Sequence, residues 1–178
     1  MKKELLIGCG SNWKKRLTVD GTTDWSSVTT LDYNSAHKPD IEWDLLKLPL
    51  PFADNSFDEI HAYEVLEHTG QQGDYKFFFA QFSELYRILK EGGHVIATCP
   101  SRNSPWAWGD PSHTRVLQPE QLLFLHQPQY ESEVGITPMS DFRNIYKADF
   151  DIVVRSDDGT TFVFILKAIK PSRVKGHA

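Results

Sequence analysis

The chain has 178 residues, of which 40% are hydrophobic and 24% charged, so it is long enough to bury a core of its own in one domain spanning 1–178. Acidic residues outnumber basic ones, which gives a formal net charge of −5 and a pI near 5.8. A chain of this charge is not generally attracted to nucleic acid or to an anionic membrane surface, so neither is expected as a partner.

Apolar runs in the first third of the chain predict parallel strands, and the first three runs each end in a glycine or an aspartate. The predicted strands cover 4–7, which leads into Gly8; 28–31, which ends at Asp32; 41–43, which ends at Asp44; and 57–62, which follows a loop rich in Pro, Asn and Ser.

The turn after the first strand is the most informative local feature of the chain. Glycine tolerates a positive φ and has no Cβ, so the sequence Gly8-Cys9-Gly10 predicts uncovered main-chain amides that an anionic or zwitterionic ligand can approach. An ordinary tight turn can have the same pattern of glycines. Whether this turn binds a ligand therefore has to be judged together with the residues at the ends of the other strands.

The second half of the chain predicts one strong helix and three more strands. Residues 74–90 carry an apolar stripe at helical spacing, and Gly92 and Gly93 predict where this helix ends. We expect a fifth strand over 94–98, a helix over 119–126, and strands over 150–155 and 161–166. The Asp-Gly connection between the last two predicts an antiparallel hairpin, and hence seven strands with the final pair reversed.

The connections early in the chain are too short for regular helical crossovers. Residues 33–40 are fewer than the dozen or so that such a crossover needs, and residues 14–27 lack helical periodicity. Since parallel strands need both faces buried, we expect other loops or a second subunit to cover this half of the sheet. A homodimer through the thinly covered half is therefore one expectation.

The two cysteines, Cys9 and Cys99, each end an apolar run, and neither belongs to a spacing typical of metal sites. We expect both to be buried and reduced, and we expect no metal. The apolar run near the N-terminus is too short for a signal peptide, and no run reaches membrane-spanning length. These features predict a cytoplasmic protein without a membrane partner.

At this point the chain resembles the class I SAM-dependent methyltransferases over nearly its whole length. The resemblance is carried by Gly8-Cys9-Gly10, by LPLPFADNSFD over 48–58, by VLEH over 65–68, and by LYRILKEGG over 85–93. It implies an α/β fold of the Rossmann-like type, with a seven-stranded, mostly parallel sheet, an antiparallel C-terminal hairpin and helices reduced on one half.

The resemblance also implies S-adenosyl-L-methionine (SAM) as the cofactor and S-adenosylhomocysteine (SAH) as the product. The turn formed by Gly8, Cys9 and Gly10 would hold the methionine part through its amides. Asp32 would accept hydrogen bonds from both ribose hydroxyls, which suits the two oxygens of a carboxylate. Asp20 is the competing carboxylate, although the sequence Asp20-Gly21 is also typical of a hairpin turn.

Five further residues are assigned to the cofactor site by the same resemblance. Asp44 would accept from the adenine amino group while the backbone of Leu45 donates to the ring, and the backbone of Ala62, Tyr63 and Glu64 would line the methionine end. The chain departs from the family at two positions. Leu6 stands where many relatives carry an acidic residue, and Asn12 stands where they carry a third glycine.

Substrate choice is expected after the fifth strand, because ligands bind outside the carboxyl ends of strands in open α/β sheets. Trp106 and Trp108 can stack on a planar or cationic acceptor, Arg115 adds a positive charge, and His113 can take a proton. Alternatively, the tryptophans cover the sheet and His113 caps a turn. His68 is a second catalytic candidate, with a structural role as its alternative.

The favoured function is transfer of the sulfonium methyl group to a small-molecule acceptor. The chain lacks the Asn/Asp-Pro-Pro-aromatic and Pro-Cys motifs of DNA-methylating enzymes. A degenerate methyltransferase fold that binds a ligand or partner without turnover is the main alternative. A nicotinamide-dependent oxidoreductase is a weaker one, because its fingerprint needs a glycine where Trp13 stands.

Overall fold

The computed structural model describes residues 1–175, which form seven strands, three short 3-10 helices and three α-helices. The strands are β1 (Glu4–Ile7), β2 (Val28–Asp32), β3 (Ile41–Glu42), β4 (Phe57–Tyr63), β5 (Leu89–Pro100), β6 (Phe150–Asp157) and β7 (Thr161–Ala168). The α-helices are α1 (Tyr75–Ile88), α2 (Pro105–Gly109) and α3 (Gln127–Glu133), and the 3-10 helices are Ser35–His37, Leu66–His68 and Pro119–Leu125.

All seven strands form one sheet in the order β3-β2-β1-β4-β5-β7-β6. The first five strands pair in parallel, whereas β7 is antiparallel to both β5 and β6. The predicted fold class is therefore confirmed. The chain order reverses direction at β1, between β2 on one side and β4 on the other, which is where open α/β sheets form a ligand crevice.

The strong helix begins as predicted but ends earlier. The Asp74 side chain caps it by accepting from the amide of Phe77, and helix α1 stops at Ile88, where β5 follows without a loop. The prediction that Gly92 and Gly93 end this helix is wrong, because both lie within β5. A Cβ on Gly93 would stand 3.0 Å from the carbonyl oxygen of Asp58, so this glycine allows close pairing with β4.

The remaining predicted helix, over 119–126, is a 3-10 helix spanning Pro119–Leu125. Its buried leucines, Leu122 and Leu125, join the main core that α1 forms on one face of the sheet. This face also buries the alternating strand residues Leu5, Ile7 and others of the central strands.

The opposite face of the sheet is covered mainly by a helix-free segment, residues 11–27, which we call the covering segment. Leu17 and Trp25 of this segment pack against a small cluster formed by Leu6, Cys9, Tyr63, Ile96 and Ile165. One half of the sheet, on the side of the early strands, was expected to have few helices packed on it. In the structure it is one face of the sheet that lacks packed helices. Cys9 and Cys99 are buried and unbonded to each other, as predicted.

A buried ion pair fixes the covering segment to the sheet. The Lys15 ammonium lies 2.6 Å from Glu4 Oε1 and 3.7 Å from Glu59 Oε2, and all three side chains are nearly inaccessible to solvent. The Tyr63 hydroxyl also accepts hydrogen bonds from the amides of Arg16 and Leu17. These polar contacts hold the helix-free segment on this face of the sheet.

Candidate functional site

A cavity of about 550 Å³ opens at the carboxyl ends of the central parallel strands. Its volume falls within the range of roughly 300–1,000 Å³ that is typical of small-molecule sites. The lining residues come from the ends of β1, β2, β3 and β4 and from two later loops: Gly8, Gly10, Asp32, Tyr33, His37, Trp43, Asp44, Leu45, Leu46, Glu64, Val65, His68, Thr69 and Ser112.

The glycine turn forms one wall of this cavity, with Gly8 at φ 57° and Gly10 at φ 54°. A Cβ on Gly8 would stand 2.1 Å from Val65 Cγ2, so a side chain here is excluded by packing as well as by conformation. The amides of this turn are not all uncovered as expected. Cys9 donates to the carbonyl of Leu31 over 3.2 Å, and Gly10 donates to Asp32 Oδ2 over 2.8 Å.

Asp32 lies at the end of β2, directly beside the glycine turn. Besides the bond from Gly10, its Oδ1 accepts from the amide of Asn34 over 2.9 Å, and its Oδ2 lies 3.3 Å from His37 Nδ1. The competing carboxylate, Asp20, is in an exposed turn where it binds Lys2 and Thr22, and it does not line the cavity. The geometry therefore favours Asp32 over Asp20.

The end of β3 contributes a carboxylate beside apolar surface. Asp44 Oδ1 accepts from the amide of Leu46 over 2.9 Å, which fixes the turn after the strand. Leu45 is buried, and the Trp43 indole is held by a 2.9 Å bond from its Nε1 to the carbonyl of Lys47. This corner offers a flat apolar wall with a carboxylate at its edge.

The residues expected at the end of β4 divide between the cavity and the two faces of the sheet. Ala62 belongs to the main core, and the Tyr63 side chain points to the opposite face, where its hydroxyl lies 2.7 Å from His61 Nδ1. Cys9 likewise packs in the opposite cluster. Glu64, which was expected here, lines the cavity together with Val65.

The two candidate catalytic histidines are brought together. Their rings are edge to face, with centroids 4.7 Å apart. His68 lines the cavity, and its Nδ1 lies 3.2 Å from the carbonyl oxygen of Ser112. His113 is only 8% exposed, and it is positioned because the following residues, Thr114 and Arg115, donate main-chain bonds to the carbonyl of Glu67.

The candidate substrate residues are not in the cavity wall. Trp106 and Trp108 lie on α2 and are 68% and 69% exposed, so they neither line the cavity nor cover the sheet. Arg115 is buried, and its guanidinium donates to the carbonyl of Leu66 over 2.9 Å and to Thr69 Oγ1 over 3.0 Å. Arg115 thus stabilises the loop that carries His68.

Several cavity residues were missed from the sequence, among them His37, Trp43 and Ser112. Trp43 carried a usable signal, because an aromatic residue at a strand end next to Asp44 is suited to a planar ligand. No comparable sequence pattern marks His37 or Ser112.

Glu67 has the most perturbed carboxyl group near the cavity. It is 2% exposed, and burial raises its pKa to about 8, with the negative charge of Glu64 adding to the rise. Neither of its carboxyl oxygens makes a well-formed hydrogen bond within residues 1–175. A group in this state needs an explanation, since buried polar atoms are nearly always paired.

Comparisons with known proteins agree with this geometry. Residues 5–97 match the family described as "Methyltransferase domain". A protein of Mycolicibacterium smegmatis named "Probable S-adenosylmethionine-dependent methyltransferase" is 32% identical over an alignment of 136 residues, and the match covers 68% of this chain and 48% of that protein. The chain therefore spans about half the length of this curated relative.

Two solved structures have the same fold. A SAM-dependent methyltransferase from Archaeoglobus fulgidus superposes with a TM-score of 0.57 at 15% identity, covering 93% of this chain and 86% of the other. The N-methyltransferase NodS from Bradyrhizobium japonicum, solved with SAH, gives 0.53 at 16% identity, covering 94% and 78%.

The family match extends over more than half of the chain and includes the glycine turn and the ends of β1, β2, β3 and β4. The chain belongs to the class I SAM-dependent methyltransferase family. In the part of the chain that the structure describes, none of the helices combines the length and apolar character needed to cross a membrane.

Proposed function

We propose that the chain is a SAM-dependent methyltransferase that acts on a small-molecule acceptor. The observation that carries this proposal is the cavity itself, in which the glycine turn, Asp32, Asp44 and Leu45 converge from separate strands. When bound, SAM supplies an electrophilic methyl group on its sulfonium sulfur.

The residues present fit such a cofactor. Asp32 would accept hydrogen bonds from a ribose, and Asp44 would accept from the exocyclic amine of adenine. Trp43 and Leu45 would cover the two sides of a planar base with apolar surface. Gly8 and Gly10 keep the wall between them free of side chains, although two amides of the turn donate within the chain.

The protein's contribution to the reaction would be mainly positional. Holding two reactants in a near-attack geometry can account for roughly 7–11 kcal/mol of a barrier, while a positioned base adds about 10²–10⁴-fold. His68 faces the cavity and the His113 ring meets it edge to face, so with no metal on either ring this pair is the candidate for taking the acceptor's proton.

The test is calorimetric titration of the purified chain with SAM, SAH and NADH separately. Binding of SAM and SAH with one site per chain is expected, together with no heat from NADH. Binding of NADH alone would overturn the proposal in favour of an oxidoreductase.

A second candidate is a binding protein without turnover. It is favoured by Leu6, which replaces the usual acidic residue and is buried on the opposite face, where it cannot meet a cofactor amine. Radiolabelled SAM incubated with the chain and a small-molecule extract separates the two functions. Label transferred to a product supports the enzyme, whereas SAH affinity without any labelled product supports the binding protein.

A further inference from the structure

Three side chains beside the cavity offer ligand atoms to one common point. Glu67, His68 and His113, which we call the Glu67 cluster, each present one donor atom, and these atoms all lie within 4.8 Å of one another. The expectation of no metal rested on the absence of a metal-site spacing around Cys9 and Cys99, and it did not consider these three residues. His113 is far from the other two along the chain and joins them only through folding.

The buried donors of this cluster lack strong partners. Among the described residues, Nδ1 of His113 is buried and unpaired, and Glu67 makes no well-formed hydrogen bond, its polar neighbours including only the weakly donating Cys99 thiol and the Glu64 carboxyl. Leaving such groups desolvated and unpaired is unfavourable by several kcal/mol in total. A cation at the common point would satisfy them together.

One nitrogen of each ring faces another group. Nδ1 of His68 lies 3.2 Å from the carbonyl oxygen of Ser112, and Nε2 of His113 lies 3.8 Å from Asp110 Oδ2, which is too long for a hydrogen bond but places the carboxylate on that side of the ring. Histidine ligands in proteins usually direct one nitrogen to a carbonyl or carboxylate in this way, which leaves the other for the metal. The remaining atoms are Nε2 of His68 and Nδ1 of His113.

A second group of donors in the chain does not share these properties. Glu4, Glu59 and His61 also lie close together, but Lys15 lies 2.6 Å from Glu4, Lys2 lies 2.7 Å from Glu59, and His61 contacts the Tyr63 hydroxyl. Two lysine cations already neutralise that group, so it has no need of a metal ion.

We propose that the Glu67 cluster is a binding site for a first-row divalent transition-metal ion such as Zn²⁺. Two imidazoles and one carboxylate are a donor set that such ions prefer over Mg²⁺ or Ca²⁺. Three protein ligands also leave coordination positions open, which is the arrangement found in catalytic rather than structural zinc sites.

The open positions would face the cavity, since His68, Glu64 and Ser112 all line it. This inference rests on the proposed function, and it narrows the class of methyl acceptor. It would be a small molecule whose reacting end carries an oxygen-donor group, such as a hydroxyl or carboxylate, able to occupy an open metal position.

The experiment uses the full chain without a histidine tag, freed of metal with EDTA and then dialysed. Titration with ZnCl₂ should show one ion per chain. His68→Asn and His113→Asn should each weaken Zn²⁺ binding by about 100-fold or more, because a lost ligand costs at least as much as a lost supporting contact. His68 is exposed, so its substitution should leave the fold intact.

The matched control is His126→Asn, which removes a histidine that contacts the carbonyl of Phe150 outside the cluster. It should bind Zn²⁺ like the wild type. Absence of stoichiometric binding, or equal affinity in the His68→Asn, His113→Asn and control variants, would overturn the metal site.

The acceptor class is tested with Co²⁺ in place of Zn²⁺, because its visible spectrum reports coordination. Acetohydroxamate, an oxygen-donor probe, should change this spectrum in the wild type, and an unchanged spectrum would overturn the open-position argument. SAH titration of the same sample keeps the two proposals separate. If the chain binds SAH but not Zn²⁺, the proposed function stands and the metal site is overturned. If it binds Zn²⁺ but not SAH, the metal site stands and the proposed function is overturned.

Discussion

Asp32 links the glycine turn to the end of β2, and its substitution tests the cofactor site at the scale of one residue. In Asp32→Ala we expect SAH affinity to fall by roughly 1–3 kcal/mol, or about 5- to 150-fold, because a charged acceptor for the ribose is lost. Calorimetry measures this change directly.

Asp40→Ala is the matched control for that experiment. Asp40 also accepts two hydrogen bonds, from the amide and hydroxyl of Thr30, but it does not line the cavity. Its variant should lose some stability and keep its SAH affinity. If both variants lose the same SAH affinity, Asp32 affects binding only by stabilising the fold and does not contact the cofactor.

Gly8 and Gly10 have nearly the same φ but different surroundings, so the pair separates backbone strain from packing. Gly10→Ala adds a methyl group in open space and should lower the free energy of unfolding by about 1–2 kcal/mol through strain alone. Gly8→Ala should lower it by roughly a further 1–3 kcal/mol, because the new methyl group overlaps Val65.

Urea unfolding of the two glycine variants gives both values. Adding Val65→Ala to Gly8→Ala should recover part of the extra loss, since the clashing Cγ atoms are removed. Equal destabilisation by Gly8→Ala and Gly10→Ala would contradict the packing explanation.

Glu67 predicts a distinctive dependence of stability on pH in metal-free protein. Its folded pKa, about 8, lies above the ordinary value of 4.5, so the folded chain holds a proton that the unfolded chain releases. The associated stability is fully present below pH 4.5 and is lost as the pH rises to about 8. Its titratable and charged neighbours are Glu64, His68, Cys99, His113 and Arg115.

Glu67→Gln keeps the shape of the protonated side chain and removes its titration. The wild type loses stability between pH 4.5 and 8.5, and the variant does not. The free energy of unfolding of the variant relative to that of the wild type should therefore rise over this range, by a few kcal/mol in total. Denaturation series with EDTA across this range measure the difference. If the free energies of unfolding of the two proteins differ by the same amount at all pH values, the titrating group is not Glu67.

At the scale of elements, the covering segment depends on one buried cation. Lys15→Met would leave the carboxylates of Glu4 and Glu59 without this partner, and we expect a loss of about 3–5 kcal/mol in the free energy of unfolding. Lys14→Met is the matched control, because Lys14 is exposed and should change stability by no more than about 0.5 kcal/mol. Similar results for the two lysines would mean that the ion pair is dispensable.

The elements also show what sequence reasoning can and cannot provide. Strand positions were predictable because apolar runs end where polar turn residues begin, as at Asp32 and Asp44. The end of β4 was predictable only in part: Glu64 lines the cavity as expected, but Ala62 packs in the main core and Tyr63 points to the opposite face. Successive strand residues point to opposite faces, so the sequence near a strand end does not show by itself which side chain meets a ligand.

The Glu67 cluster illustrates a different limit. Glu67 and His68 are adjacent, and family resemblance identified them as a motif, but His113 reaches them through main-chain bonds from Thr114 and Arg115 to Glu67. Contacts between distant segments depend on packing, which the order of residues does not display.

For the whole molecule, the structure removes the reason for expecting a dimer. The face of the sheet that lacks helices is covered by residues 11–27 of the same chain, which pack Leu17 and Trp25 against it. We therefore expect a monomer, with a mass near 20.4 kDa by light scattering after size-exclusion chromatography. A mass of about twice that value, independent of dilution, would restore the dimer.

The covering segment and the cavity are joined by a short relay of indole rings. Nε1 of Trp13 donates to the carbonyl of Gly10, and Nε1 of Trp25 donates to the carbonyl of Trp13. The covering segment is thus hydrogen-bonded to the last residue of the glycine turn. Replacing either indole would remove one of these two bonds, so residues on the face remote from the cavity help to hold the Gly10 carbonyl in place.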